Sequence, residues 1–262
     1  MGNWQYLSFD EFRTGISRLK EEGIPLIVGV GALNTSEAEQ RVRTAVDLRA
    51  DALMLLPAIT GLTAGEFQEH HFATLLLAAG NTPCIVYNNP NAYGFSMPTS
   101  MFHRLRATHP HLVAFKESGG KDALTAAAQD FSQDRDCELG VGLDTMVYHG
   151  VVNCGASFCI AGVANFLPRE CLRLWELCEA GRTDADSRRL ARELDEALMP
   201  LFELDADPRL VLWYKAAMTY RGHDGYVDHR PSYARLTEPQ VGHLRRLLDD
   251  FDAWWKTWEG AE

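Results

Sequence analysis

The chain has 262 residues, enough for one large domain or two small ones. Hydrophobic residues make up 46% and charged residues 23%, a globular mix that excludes disorder and fibres. The formal net charge of −11 argues against nucleic acid, whose phosphates call for a surplus of Lys and Arg. No stretch approaches the ~18 apolar residues of a membrane span. The opening residues, MGNWQYLSFDEFRTG, lack the basic-then-apolar pattern of a secretion signal. The expectation is a cytoplasmic protein that meets a small molecule, with no nucleic-acid and no membrane partner.

Short apolar runs recur roughly every 25–30 residues, the length of a strand–helix unit. They cover residues 25–30 (PLIVGV), 51–56 (DALMLL), 84–87 (CIVY), 112–116 (LVAFK), 138–141 (ELGV) and 157–160 (SFCI). These six expected strands are uniformly apolar, which suits a parallel sheet buried on both faces. Helical patterns fill the gaps. Ser8 with Glu11 reads as a capping box before the stripe Phe9, Phe12, Ile16, Leu19. Ser36 with Glu39 repeats the signal before Val42, Ala45 and Val46. Pro168 opens a helix with Cys171, Leu174, Trp175 and Cys178 on one face, and Gly181 closes it.

From about Asp184 only helix and loop follow. Thr237 and Gln240 cap the last helix, whose stripe is Val241, Leu244, Leu247, Leu248, Phe251, Trp254, Trp255 and Trp258. Such a stripe is core or subunit interface. Strand–helix alternation before a helical tail predicts an α/β fold, a (β/α) barrel with a C-terminal helical appendage. A doubly wound sheet is the alternative. A full barrel has eight strands, two more than these runs provide.

Lysine is scarce, five residues against twenty arginines. Lys116 ends the run Leu112-Val113-Ala114-Phe115. An ammonium there is costly to bury, and desolvation favours the free amine that a Schiff-base nucleophile needs. A strand-end lysine that reaches solvent or pairs with Glu117 is the plainer reading. Tyr87 ends the preceding run, in CIVYNNP. Strand C-termini of a barrel face the mouth where active sites form, and a tyrosine beside an amine relays protons.

Other candidates are weaker. The glycines of Gly29-Val30-Gly31 lack the spacing of a dinucleotide fingerprint. His70 and His71 form no HExxH and read as a solvated helix face. None of the six cysteines forms CxxC, so buried reduced thiols are expected and a zinc site is not. Cys154 has no evident histidine partner. Asp144, just past a strand, either faces the site or caps a helix.

The runs IVYNNPNAYG, VAFKESGG, GVGLD and CIAGVANFLP, in this order and spacing, resemble the dihydrodipicolinate synthase / N-acetylneuraminate lyase family. The likeness covers residues 6–180 and continues more loosely to the end. It implies a (β/α)8 TIM barrel of class I aldolase type plus C-terminal helices, in a homo-oligomer, tetramer or dimer. Residues 1–180 would hold barrel strands 3 to 8, and 181–262 the helical region. By the same resemblance Lys116 forms an imine with a 2-oxo acid and Tyr87 shuttles protons. Gly142, Ile160, Ala161 and Gly162 line the substrate pocket. No metal and no organic cofactor is implied, because the covalent imine with Lys116 is the electron sink.

Departures narrow the substrate. In the lysine-pathway synthase an arginine follows YNxP; Ala92 stands here. Its tyrosine pair is replaced by Pro57-Ala58-Ile59-Thr60. The YNNP with its following YG, the KES, and MPLFELDADPRLVLWYKAAM (residues 199–218) resemble the 1-pyrroline-4-hydroxy-2-carboxylate deaminases of hydroxyproline breakdown. A sugar-acid dehydratase or aldolase would use the same two residues.

Family members open with a strand, a helix and a strand ending in a Gly-Thr-Thr-Gly-Glu-like motif. Met1-Gly2-Asn3 falls on the end of that motif, so the first two strands, about forty residues, are expected to be missing. The motif's hydroxyls hold the substrate carboxylate, and Met1 replaces none of them. Either the start is assigned at an internal methionine or the chain is a truncated, non-catalytic relative.

Overall fold

The computed structural model describes residues 4–59, 64–132 and 136–261. By packing, the chain divides into a first unit, Leu7–Gly142, and a second holding residues 4–6 and 143–261. The boundary expected at residue 180 is one of element type, and this division by packing does not speak to it.

The first unit opens on α1 (Phe9–Glu21). Strands and helices then alternate: β1 (Ile27–Gly29), α2 (Thr35–Asp47), β2 (Ala52–Leu55), α3 (Gly65–Ala79) and β3 (Cys84–Asn88). After β3 come a short α4 (Pro90–Tyr93), α5 (Thr99–Thr108), β4 (Leu112–Glu117), α6 (Lys121–Phe131) and β5 (Glu138–Val141). The five strands pair in parallel in chain order, each crossover being helical, as parallel neighbours require. Consecutive residues Cys84, Ile85 and Val86 are all buried, so both faces of the sheet are covered. The rings of Phe102, Phe115 and Phe131 stand 5.2–5.4 Å apart pairwise and wedge α5 and α6 against β4.

The second unit holds β6 (Phe158–Cys159), α7 (Pro168–Ala180), α8 (Ala185–Phe202), α9 (Leu210–Tyr220) and α10 (Glu238–Trp255). Its core includes Leu174, Leu177, Leu194, Leu198, Leu248 and Phe251. The six strands therefore fall on the six expected runs, and the chain beyond Asp184 is helix and loop among the described residues. No helix among them is long and apolar enough to cross a membrane.

Several local expectations hold and others change. The Ser8–Glu11 capping box forms: Ser8 Oγ accepts from the Glu11 N–H at 3.2 Å and Glu11 Oε2 from the Ser8 N–H at 2.8 Å. Helix α2 is capped by Asn34 rather than Ser36. Asn34 is extended and its Oδ1 accepts from the Glu37 N–H at 2.9 Å, leaving Ser36 inside the first turn. Gly181 follows α7 in right-handed geometry, φ −65°. It is needed for space, because a Cβ there would lie 2.8 Å from Arg188 Cα. On α10 the tryptophans are only partly buried. Trp254 and Trp258 stack at 4.9 Å, and Trp258 Nε1 donates to Glu193 Oε2 of α8 at 2.9 Å.

His71 is not solvated. It is 1% exposed, its Nε2–H donates to the Leu56 carbonyl and its Nδ1 accepts from Thr35 Oγ1. Burial pulls its pKa down, so it is a neutral core histidine. His70 alone faces solvent.

Asp195 on α8 is the reverse case. Burial pushes its carboxyl up to about 7, against the Tyr148 N–H that donates to it, and its Oδ1 has no partner among the described residues. The folded chain thus holds a proton between about pH 4 and 7 that the unfolded chain releases, so stability falls as pH rises through that window. Asp195→Asn should flatten this slope and raise stability at pH 8 by on the order of 3 kcal/mol, read from urea midpoints. An unchanged slope would mean Asp195 stays ionised.

Candidate active site

Adjacent parallel strands build the site. In the β3–β4 register Tyr87 pairs with Lys116 and Asn88 with Glu117. Successive side chains alternate faces, so Tyr87 and Lys116 share one face and Asn88 and Glu117 the other. Lys116 is 3% exposed, and its Nζ lies 3.6 Å from the centroid of the Tyr87 ring. That contact sets the amino group over the face of the ring.

The sequence around Tyr87 explains its posture. Pro90 ends the strand's run of N–H donors, and Asn89 caps the short α4, its Oδ1 accepting from the Ala92 N–H at 3.1 Å. The other end of the same amide, Nδ2, donates to Tyr87 Oη at 2.9 Å. Tyr93 meets the Tyr87 ring edge-on at 5.8 Å. One asparagine thus fixes both the turn and the phenol oxygen.

On the opposite face Asn88 Nδ2 donates to Glu117 Oε2 at 2.7 Å, and Asn88 Oδ1 accepts from the Met97 N–H at 2.9 Å. Glu117 Oε1 accepts from the Gly119 N–H at 2.5 Å. Burial raises the Glu117 pKa even though these donors pull it down. This pair locks the register that sets Tyr87 beside Lys116.

Gly142 follows β5 against the end of β4. Its N–H donates to the Glu117 carbonyl at 2.8 Å, and a Cβ would run into Ser118 Oγ and that same carbonyl. Only glycine fits so close an approach. Lys116, Tyr87 and Gly142 therefore lie together in the first unit.

Ile160, Ala161 and Gly162 follow β6 in the second unit. Asp144, 2% exposed, accepts from the Gly162 and Val163 N–H groups at 2.8 Å each. It caps that turn, one of the two roles expected for it. Asp144→Ala would leave two buried donors unmatched, so a loss of about 2–4 kcal/mol in unfolding free energy is expected. An unchanged urea midpoint would show that the turn holds without it.

Sequence reasoning missed Asn88 and Glu117, whose roles depend on cross-strand register, and Asn89, whose hydrogen bonds lie within its own turn. It also missed a partner for Cys154: His149 Nε2 lies 3.3 Å from Cys154 Sγ. Of the departures noted above, Ala92 sits exposed in α4, while Thr60 and Met1-Gly2-Asn3 lie outside the described residues. Among the described residues no group of three or more His, Cys, Asp or Glu side chains is placed to hold a metal ion.

A sequence model of the dihydrodipicolinate synthetase family matches residues 7–250. The expectation that the front of the family pattern is missing finds no support in a match of that extent. The 4-hydroxy-tetrahydrodipicolinate synthase of Haloarcula marismortui is 29% identical over 231 residues, 87% of this chain and 71% of that protein. The synthase of the same name from Pelobacter propionicus is 32% identical over 167 residues, 64% of this chain and 56% of that protein.

Among solved structures, a prophage protein of E. coli K12 from the dihydrodipicolinic acid synthase family, in complex with pyruvate, superposes with a TM-score of 0.85. The overlap takes in 96% of this chain and 84% of that one, at 17% identity, and shows a shared fold. The α/β class and the enzyme family expected from the sequence are both borne out. The chain belongs to the dihydrodipicolinate synthetase family.

Proposed function

We propose that this chain is a Schiff-base-forming lyase that acts on a small 2-oxo or cyclic 2-imino acid, with Lys116 as the amine and Tyr87 as the proton relay. The observation that carries it is the buried Lys116 Nζ 3.6 Å from the Tyr87 ring, at paired strand ends. The amine adds to C2 of a 2-oxo acid and water leaves, giving an iminium. The iminium draws electrons from C3, so a proton or a carbon–carbon bond there is broken more easily. Tyr87, its Oη held by Asn89, moves the proton. Gly142, Ile160, Ala161 and Gly162 line the substrate in this reading. The six strands are taken as strands 3 to 8 of a (β/α)8 barrel with a C-terminal helical appendage, in a cytoplasmic homo-oligomer.

The finer reading is a deaminase of 1-pyrroline-4-hydroxy-2-carboxylate. Lys116 adds to C2 of the cyclic imine, the ring nitrogen leaves C2, and the 4-hydroxyl departs as water. Hydrolysis then releases ammonia and 2,5-dioxopentanoate. Ala92 in place of an arginine and the segment 199–218 support this substrate. The names of the relatives support a second reading, a 4-hydroxy-tetrahydrodipicolinate synthase. Assaying ammonia release from the pyrroline acid, against pyruvate consumption with aspartate semialdehyde, separates the two. Ammonia release is expected; pyruvate consumption alone would give the synthase. Chelators should leave turnover unchanged in either case, and a loss reversed by added metal would contradict an amine-only mechanism.

A further inference from the structure

A second nucleophile sits in the second unit. Between β5 and β6 a π-helical turn covers His149–Asn153, and Cys154 follows it. The sulfur of Cys154 lies 3.3 Å from His149 Nε2, and the other ring nitrogen, Nδ1, lies 3.2 Å from the Asn153 side-chain amide. Asn153 Nδ2 donates to His149 Nδ1, so the ring proton sits on Nε2 and points at the Cys154 sulfur, where it favours the thiolate. A thiol held against an imidazole N–H whose tautomer a neighbouring amide fixes has its thiolate favoured, and the thiolate is the nucleophile. Cys154 is partly exposed, so a small reagent can reach it.

The other thiols differ. Cys84 and Cys137 are buried and face the backbone carbonyls of Thr82 and Glu138. Burial pushes the Cys84 thiol up to about 12 and raises Cys171 and Cys178 as well. Cys159, partly exposed, provides the internal comparison.

We propose that Cys154, activated by His149, is a modification site that accepts a low-molecular-weight disulfide such as glutathione disulfide. The thiol loses its proton to solvent, and His149 Nε2–H donates to the thiolate. The thiolate attacks one sulfur of the disulfide; the new S–S bond forms as the old one breaks. Cys154 is oxidised to the mixed disulfide, and the leaving glutathione thiolate is reduced and takes a proton.

The test begins with the full chain and limiting iodoacetamide, followed by peptide mass mapping. Cys154 should be labelled first, ahead of Cys159, and faster than the same cysteine in the urea-unfolded chain. His149→Ala and His149→Gln should each slow Cys154 labelling by about tenfold. Glutathione disulfide should add one glutathionyl mass, on Cys154. Labelling of Cys154 slower in the native than in the unfolded chain would overturn the proposal, whatever the variants do. So would a rate that is the same in folded His149 variants, or a glutathionyl group placed on Cys159 instead.

Discussion

Lys116→Ala should fold normally and lose turnover by at least about 10³-fold, with no imine detectable. The side chain lies at the end of β4, behind Phe115, whose packing against Phe102 and Phe131 does not involve the amine. Far-UV circular dichroism should therefore match the parent. Turnover kept within tenfold would remove Lys116 from the chemistry.

Tyr87→Phe is the second large effect and a narrower one. It keeps the ring that faces Lys116 Nζ and the edge contact with Tyr93, and deletes only the hydroxyl. Turnover should fall about 10²–10⁴-fold if that hydroxyl moves the proton, while imine formation changes much less. Stability should drop by only about 1 kcal/mol, since Asn89 Nδ2 loses one acceptor. Equal losses in imine formation and turnover would mean the hydroxyl serves binding rather than proton transfer.

Much of this site is legible in the sequence because its two reactive side chains end apolar runs. A lysine or tyrosine there is conspicuous, and parallel pairing of consecutive strands brings the two together. Their supports are hidden for a physical reason. Asn88 and Glu117 meet only through a register that the sequence does not display, 29 residues apart. Asn89 reaches Tyr87 Oη because Pro90 turns the chain back. The true cap of α2 was obscured by Ser36 two residues beyond Asn34, since either residue type can accept the N–H. His71 was unreadable as core because it stands next to the exposed His70, while the buried face of α3 takes in Gln68 and His71 along with Phe72, Leu75 and Leu76.

The Cys154–His149 contact was missed for a geometric reason. Residues five apart lie on different faces of an α-helix, but the wider π-turn brings them together. The expectation about the front of the family pattern had another source. It rested on placing Met1-Gly2-Asn3, which lie outside the described residues, at the end of a motif, and the match over residues 7–250 lends it no support.

Reductive trapping tests the central claim most directly. The full chain would be incubated with pyruvate, and separately with 1-pyrroline-4-hydroxy-2-carboxylate, then reduced with borohydride and mapped by peptide mass. The predicted result is one ligand-derived adduct per chain, on Lys116, lost in Lys116→Ala and kept in Tyr87→Phe. A folded chain that traps neither compound, or that carries the adduct on Lys20, Lys121, Lys215 or Lys256, would contradict it.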